Sequence, residues 1–222
     1  SRQSWPETPA GLNEKPAIET SPGYVRTGMT ANTIDHNRAR YNFEGIESVW
    51  LFGYGSLIYK VDFPFLEQRP ATIRGWARRF WQGSHDHRGT PEAPGRVVTL
   101  IEQPGARCKG MAYRVSPNVF EYLDVREKNG YLRFSTTMTF DDGSHAEGLV
   151  YIATEDNEAF LGEAPEADIA AQIAAAAGPS GPNSEYLLRL AESLRALGDD
   201  CVHTFAIETH LLGSEPVAVK DR

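Results

Sequence analysis

The chain has 222 residues and a formal net charge of −8 at pH 7, with 30 Asp and Glu against 22 Lys and Arg. That length suits one folded domain with a tail, and the acidic balance argues against a nucleic-acid surface, which needs clustered Lys and Arg. Two cysteines, Cys108 and Cys201, can form neither a disulfide framework nor a four-thiolate zinc site.

The longest apolar run, residues 169–177, is interrupted by Gln172 and is far too short to span a bilayer. No apolar secretory stretch follows the opening Ser1 and Arg2. Two reduced thiols and no membrane segment lead to the expectation of a cytoplasmic protein.

Residues 1–45 interleave Pro6, Pro9, Pro16 and Pro22 with Gly, Ser, Thr and Glu. No apolar period survives there, so the segment is expected to be a mobile tail, with residues 38–43 as a part that can pack on the domain. The domain is expected over residues 46–213, followed by a second tail at 214–222.

Residues 49–52 are a short apolar run ending in Gly53, Tyr54, Gly55 and Ser56. This reads as a buried strand running into a tight turn. Further strands are expected at 71–81, 96–102, 109–115, 131–140 and 145–153, all rich in Val, Ile, Thr, Tyr and Phe. Asp141, Asp142, Gly143 and Ser144 form a hairpin turn between the last two, since glycine accepts positive φ.

Ser116 and Pro117 open a short helix that should run to about Lys128 and stop at Asn129 and Gly130. Helices follow at about 165–177, from Asn183 with Leu187, Leu190, Ala191, Leu194 and Leu197 on one face, and at about 199–212. Mostly antiparallel strands with inserted and C-terminal helices predict an α+β fold, a small barrel rather than a doubly wound sheet.

Three segments carry candidate chemistry. The turn at 53–58 has glycines either side of Tyr54, leaving consecutive N–H groups able to hold a carboxylate or oxyanion; a plain strand-to-loop turn has the same spacing. Ile58 stands where a dinucleotide fingerprint needs its third glycine.

In the 116–128 helix, Val119, Phe120, Tyr122 and Leu123 form an apolar stripe, with Glu121 and Lys128 opposite. Glu127 and Arg126 fall on the apolar side. A carboxylate there must be paired, protonated or used, and pairing with Arg126 at a half-buried edge is the alternative to a function.

The irregular loop around His85, Asp86 and His87 offers no identifiable third metal ligand. It reads better as a ligand-covering loop with Arg88 or Arg96 on an anionic group. Ser56 has no assignable histidine, and neither cysteine has a nucleophile's setting.

Taken together, the segments VWLFGYGSLI (49–58), RFWQGS (79–84), DHRGTP (86–91), PGRVVTL (94–100), YLDVREKNGY (122–131) and AAGPSGPNSEYL (176–187) resemble the ChaC family of γ-glutamyl cyclotransferases. The likeness runs in order over about residues 48–212.

The resemblance implies a γ-glutamylcyclotransferase-like small mixed β-barrel with surrounding and C-terminal helices. It also implies cleavage of glutathione to 5-oxoproline and cysteinylglycine. The turn residues Tyr54, Gly55, Ser56 and Leu57, with Phe52 and Gly53 leading in, would hold the γ-glutamyl group, and Glu127 would be the catalytic base. Arg88, from the loop reading, and Tyr131 and Tyr186 are expected as further substrate contacts. No cofactor or metal is expected, and monomer and dimer both stay open.

Other γ-glutamyl amino acids or amines as substrates, and a non-enzymatic regulatory binding role, are the competing readings. The chain departs from the family in having Tyr59 where many members carry Trp, Leu132 after Tyr131 where Arg is expected, and the extra N-terminal segment.

Overall fold

A computed structural model describes residues 33–40 and 43–213. The tails expected at residues 1–32 and 214–222 lie outside the described residues. A short helix, α1 (Ile34–Arg40), comes first. Then come β1 (Val49–Gly53), a 3-10 turn (Ser56–Ile58), β2 (Glu67–Ser84), β3 (Gly95–Val115) and α2 (Val119–Arg126). They are followed by β4 (Tyr131–Phe140), β5 (His145–Ala153), α3 (Glu166–Ala175), the two-residue strands β6 (Ala177–Gly178) and β7 (Gly181–Pro182), α4 (Asn183–Ala196) and α5 (Val202–Gly213).

The strands β1, β3, β2, β4 and β5 close into a barrel in that order. β1 runs parallel to β5 and antiparallel to β3, and the remaining pairs are antiparallel. The expected α+β barrel is therefore the fold. The turn at 141–144 joins β4 to β5 as expected, with Gly143 at φ 84.

Alternation along the strands splits the core in two. Val49, Leu51, Leu149 and Tyr151 pack with Phe120 and Leu123 beneath α2. Their neighbours Phe52, Val150 and Ile152 face Phe80, Leu100 and the helices α3, α4 and α5. Successive side chains of a strand point to opposite faces, so strands covered on both sides read as unbroken apolar runs.

The boundaries differ from expectation in physically simple ways. The two strands expected at 96–102 and 109–115 are one strand, β3, whose register against β2 shifts between Arg74 and Trp76. The polar stretch between them is a bulged part of the ladder. α2 stops at Arg126, with Glu127 as its C-cap. Tyr122 is exposed rather than on the buried stripe, and Asp124 is buried in its stead. Asp124 faces Arg133 of β4 at 3.2 Å and accepts the Tyr151 hydroxyl hydrogen bond at 2.6 Å.

Part of the segment expected as an N-terminal tail is described, and it is tied to the domain. Thr33 and Asn37 are fully buried. α1 packs on α2 and β4.

Candidate active site

The turn after β1 begins the site. The N–H groups of Ile58, Tyr59 and Lys60 are used within the turn, bonding back to the carbonyls of Gly55 and Ser56. Among the described residues, the N–H groups of Gly55, Ser56 and Leu57 have no acceptor. Consecutive orphan donors at the start of a helical turn suit a carboxylate or an oxyanion.

Two other contacts hold the turn. Buried Arg78 donates from Nε to the Tyr54 carbonyl at 2.7 Å and from Nη1 to Asp199 at 3.0 Å, linking the turn to the segment before α5. Gly55 is required by space: a Cβ there would lie 2.7 Å from Val98 Cγ2 and 3.1 Å from the Tyr186 hydroxyl.

Glu127 lies across from this turn. Its side chain is 15% exposed, and its nearest cation is Arg126, with Nε 3.7 Å from Oε1. Arg126 is itself occupied: Nη1 donates to Asp62 at 2.6 Å and to the Lys60 carbonyl at 3.1 Å, and Nη2 to Ser56 Oγ at 3.2 Å. Burial pushes the Glu127 carboxyl above its ordinary value of 4.5, against the opposing pull of Arg126. The Ser56 hydroxyl is thus an acceptor for Arg126, with no histidine bonded to it.

Three phenols complete the inner wall. Tyr54 donates its hydroxyl to the Tyr151 carbonyl at 2.5 Å, and Tyr131 donates to the Val98 carbonyl at 2.7 Å. Tyr186 accepts from the Val98 N–H at 3.2 Å, which leaves its own hydroxyl hydrogen for a ligand. Burial raises all three phenols above the usual 10, so they stay neutral donors.

These groups surround two neighbouring spaces that share Ser56, Glu127, Tyr131 and Tyr186 in their lining. An outer cleft of about 390 Å³ is lined by Lys60, Asp62, Asp86, Arg88, Lys128 and Asn129 together with Ser56, Glu127, Tyr131 and Tyr186. A smaller void of about 40 Å³ adjoins it, lined by Phe52, Tyr54, Gly55, Ser56, Leu57, Val98, Glu127, Tyr131, Tyr151 and Tyr186. Glu127 borders both.

Most of the residues singled out from sequence therefore meet here. Gly53 does not line either space; it pairs with Met111 in the barrel. Arg88 lines the cleft, where its Nη1 donates to the Pro182 carbonyl at 3.1 Å. Arg96 does not: it bonds Gln172 and the carbonyls of Phe80 and Gly162, tying β3 to α3 and the preceding loop.

His87 borders the cleft with Nδ1 3.2 Å from Ser180 Oγ, and Asp86 accepts from Asn129 Nδ2. Among the described residues, no cluster of three or more His, Cys, Asp or Glu side chains is placed to hold a metal. Of the departures, Tyr59 packs edge-on against Tyr186 at 6.2 Å and Leu132 is buried; neither borders the cleft or the void.

Sequence reasoning missed Lys60, Asp62 and Val98. Asp62 could have been found only as the partner of Arg126, a contact between residues 64 apart.

A family model described as ChaC-like protein matches residues 49–212. The chain belongs to the ChaC family. Among ChaC relatives, the zebrafish glutathione-specific γ-glutamylcyclotransferase 1 is 45% identical over 181 residues, covering 77% of this chain and 92% of the relative. The human protein of the same name is 43% identical over 160 residues, covering 68% of this chain and 72% of its own length.

A yeast crystal structure of a γ-glutamyl cyclotransferase specific to glutathione superposes with a TM-score of 0.69 at 33% identity, covering 75% of this chain and 96% of that one. The ChaC match takes in the turn, Glu127, Tyr131 and Tyr186, and begins after α1.

Proposed function

We propose that this chain is a γ-glutamylcyclotransferase that degrades glutathione to 5-oxoproline and cysteinylglycine, with Glu127 as the general base and acid. The observation that carries it is the position of Glu127. It is the one carboxylate, among the described residues, that borders both the larger cleft and the smaller void lined by Gly55, Ser56 and Leu57.

The γ-glutamyl unit brings both reactants: its α-amine and its γ-amide carbonyl. The α-amine nitrogen attacks the γ-carbonyl carbon, forming the lactam C–N bond. The original amide C–N bond then breaks, and the dipeptide leaves as a free amine. One proton must leave the attacking nitrogen and one must reach the departing nitrogen, so the reaction balances without any redox partner. Attack within one molecule reaches effective molarities on the order of 10⁵–10⁸ M when the groups are aligned. The protein's task is to bend the substrate, move the proton and hold the oxyanion.

Each task has a group in place. Glu127, held above the ordinary carboxylate range by burial, is matched to taking a proton from an amine near neutral pH and returning it. The N–H groups of Gly55, Ser56 and Leu57, free of acceptors among the described residues, belong to residues that line the smaller void and are the proposed donors to the oxyanion. Loss of one oxyanion donor typically costs about 2.7–4 kcal/mol. Tyr54 and Tyr131 are committed to backbone carbonyls and shape the void, whereas Tyr186 keeps a hydrogen to donate. Arg88 and Lys60 in the cleft supply positive charge toward the peptide end of the substrate. The free thiols of Cys108 and Cys201 fit the reducing cytoplasm that glutathione occupies.

The test is to incubate the protein separately with glutathione, γ-glutamylalanine and γ-glutamyl-lysine and to measure 5-oxoproline by mass spectrometry. Product from glutathione in preference to the others is expected, and Glu127→Gln should fold while losing nearly all turnover. Product from the other compounds alone points to a different γ-glutamyl substrate. No product from any of them supports a binding role instead. Full activity in Glu127→Gln removes this residue as the base.

A further inference from the structure

We infer that Thr33 and Asn37, which precede the part of the chain matched by the ChaC family, are positioning residues for Glu127 and Tyr131. This rests on the assignment of Glu127 as the proton-transfer group. No hydrogen bond to its carboxylate holds Glu127 in place among the described residues; the nearest cation stands 3.7 Å away. Its aim is therefore set by its backbone, which runs from the end of α2 through residues 127–131 into β4.

That backbone is gripped from two sides. From the barrel side, Gln82 Nε2 donates to the Asn129 carbonyl at 3.1 Å and to Asn157 Oδ1 at 3.0 Å. Gly130, at φ 95, packs so closely there that a Cβ would lie 2.6 Å from Asn157 Oδ1.

From the opposite side the grip comes from α1 and the residue before it. The Thr33 N–H donates to the Lys128 carbonyl at 2.7 Å. The Thr33 hydroxyl donates to the Tyr131 carbonyl at 2.8 Å, with the Lys128 and Glu127 carbonyls also within reach at 3.1 and 3.4 Å. Asn37 Nδ2 donates to the same Tyr131 carbonyl at 2.9 Å, and Asn37 Oδ1 accepts from the Arg133 N–H at 2.8 Å.

Thr33 and Asn37 are both fully buried, and polar groups are buried when bonded as these are. The carbonyls they satisfy belong to the short connection whose two ends carry Glu127 and Tyr131, both of which border the cleft and the void. A carboxylate on the C-cap of a helix, with no hydrogen bond of its own among the described residues, would otherwise sample several directions. Proton transfer needs it within hydrogen-bond reach of the amine.

The experiment uses the whole 222-residue chain with Thr33→Val, Thr33→Ser and Asn37→Ala, reading kcat and KM for glutathione alongside Tm. Thr33→Val keeps the shape and removes the hydroxyl; it and Asn37→Ala should lower kcat about 10-fold to 100-fold, the scale of a misplacement on the order of 1 Å. KM should change less than kcat, because the turn at 53–58 and the cleft residues Lys60, Asp62 and Arg88 are untouched. Thr33→Ser restores the hydroxyl and should recover most of the kcat.

A folded Thr33→Val protein with unchanged kcat overturns the inference. So does a loss of kcat that merely tracks the fraction unfolded, or one that Thr33→Ser fails to recover. If Asn37→Ala does not fold, the Thr33 pair decides. Failure of the proposed function itself is distinct: wild-type protein would then yield no 5-oxoproline at all.

Discussion

Gly55→Ala is the sharpest probe of the turn. The new methyl would lie 2.7 Å from Val98 Cγ2 and 3.1 Å from the Tyr186 hydroxyl. The first distance forces a shift, and both neighbours border the void of about 40 Å³. A single water needs about 10–15 Å³ of such space, so one methyl removes a sizeable part of the room for substrate.

A hydrophobic pocket that must absorb one extra methylene loses about 1–3 kcal/mol, or roughly 10-fold to 200-fold. That is the expected fall in kcat/KM for glutathione, measured by 5-oxoproline release. Overpacking should also lower stability by about 1–3 kcal/mol, leaving the protein folded at assay temperature. Adding Val98→Ala removes the atom in closest conflict, so the double variant should recover part of the lost kcat/KM, a coupling expected of touching side chains. Undiminished kcat/KM in Gly55→Ala, or no recovery in the double variant, would refute the view that this void receives the substrate.

Two further predictions concern pH. Burial holds the Glu127 carboxyl above 4.5, so the fold favours its protonated form. That contribution is complete below the unfolded value and is lost as pH rises through the folded one. Glu127→Gln, neutral throughout, should therefore be more stable than wild type at about pH 7–8, with the two converging toward about pH 4.5. Equal Tm values at neutral pH would contradict the burial argument.

His203 behaves in the opposite sense. Burial first, and then Arg79, lower it from 6.5 to about 4, and its Nε2 accepts the Phe80 N–H at 3.0 Å. Stability tied to its neutral form is present above 6.5 and is lost as pH falls through about 4. Urea midpoints of wild type and His203→Gln at about pH 7 and 4.5 check this: the wild type should lose more over that interval.

Legibility in the sequence followed the range of the interaction. The barrel strands, the 141–144 hairpin and the apolar face of α4 could be read because alternation, turn chemistry and helical period are local. The turn at 53–58 was recognisable for the same reason, and Glu127 stood out as a carboxylate on an apolar side. The helical-face argument placed Glu127 on the buried side although the helix ends at Arg126, because the C-cap continues the last turn. Tyr122 was misplaced for lack of tertiary information: its hydroxyl donates to Asp62 at the cleft wall, a partner that no period along α2 can indicate.

Local period and turn chemistry suffice for the α+β barrel, the glycine-flanked turn and a glutamate on an apolar helical side, since these are written in neighbouring residues; the link between that turn and Glu127 came from the family resemblance. Only the tertiary structure decided that Arg88 and not Arg96 borders the cleft, that Arg126 is shared between Asp62, Ser56 and Glu127, and that Thr33 and Asn37 grip the backbone behind the glutamate. Those are hydrogen bonds and ion pairs between residues tens of positions apart. Their geometry exists only once the barrel has closed and brought its edges together.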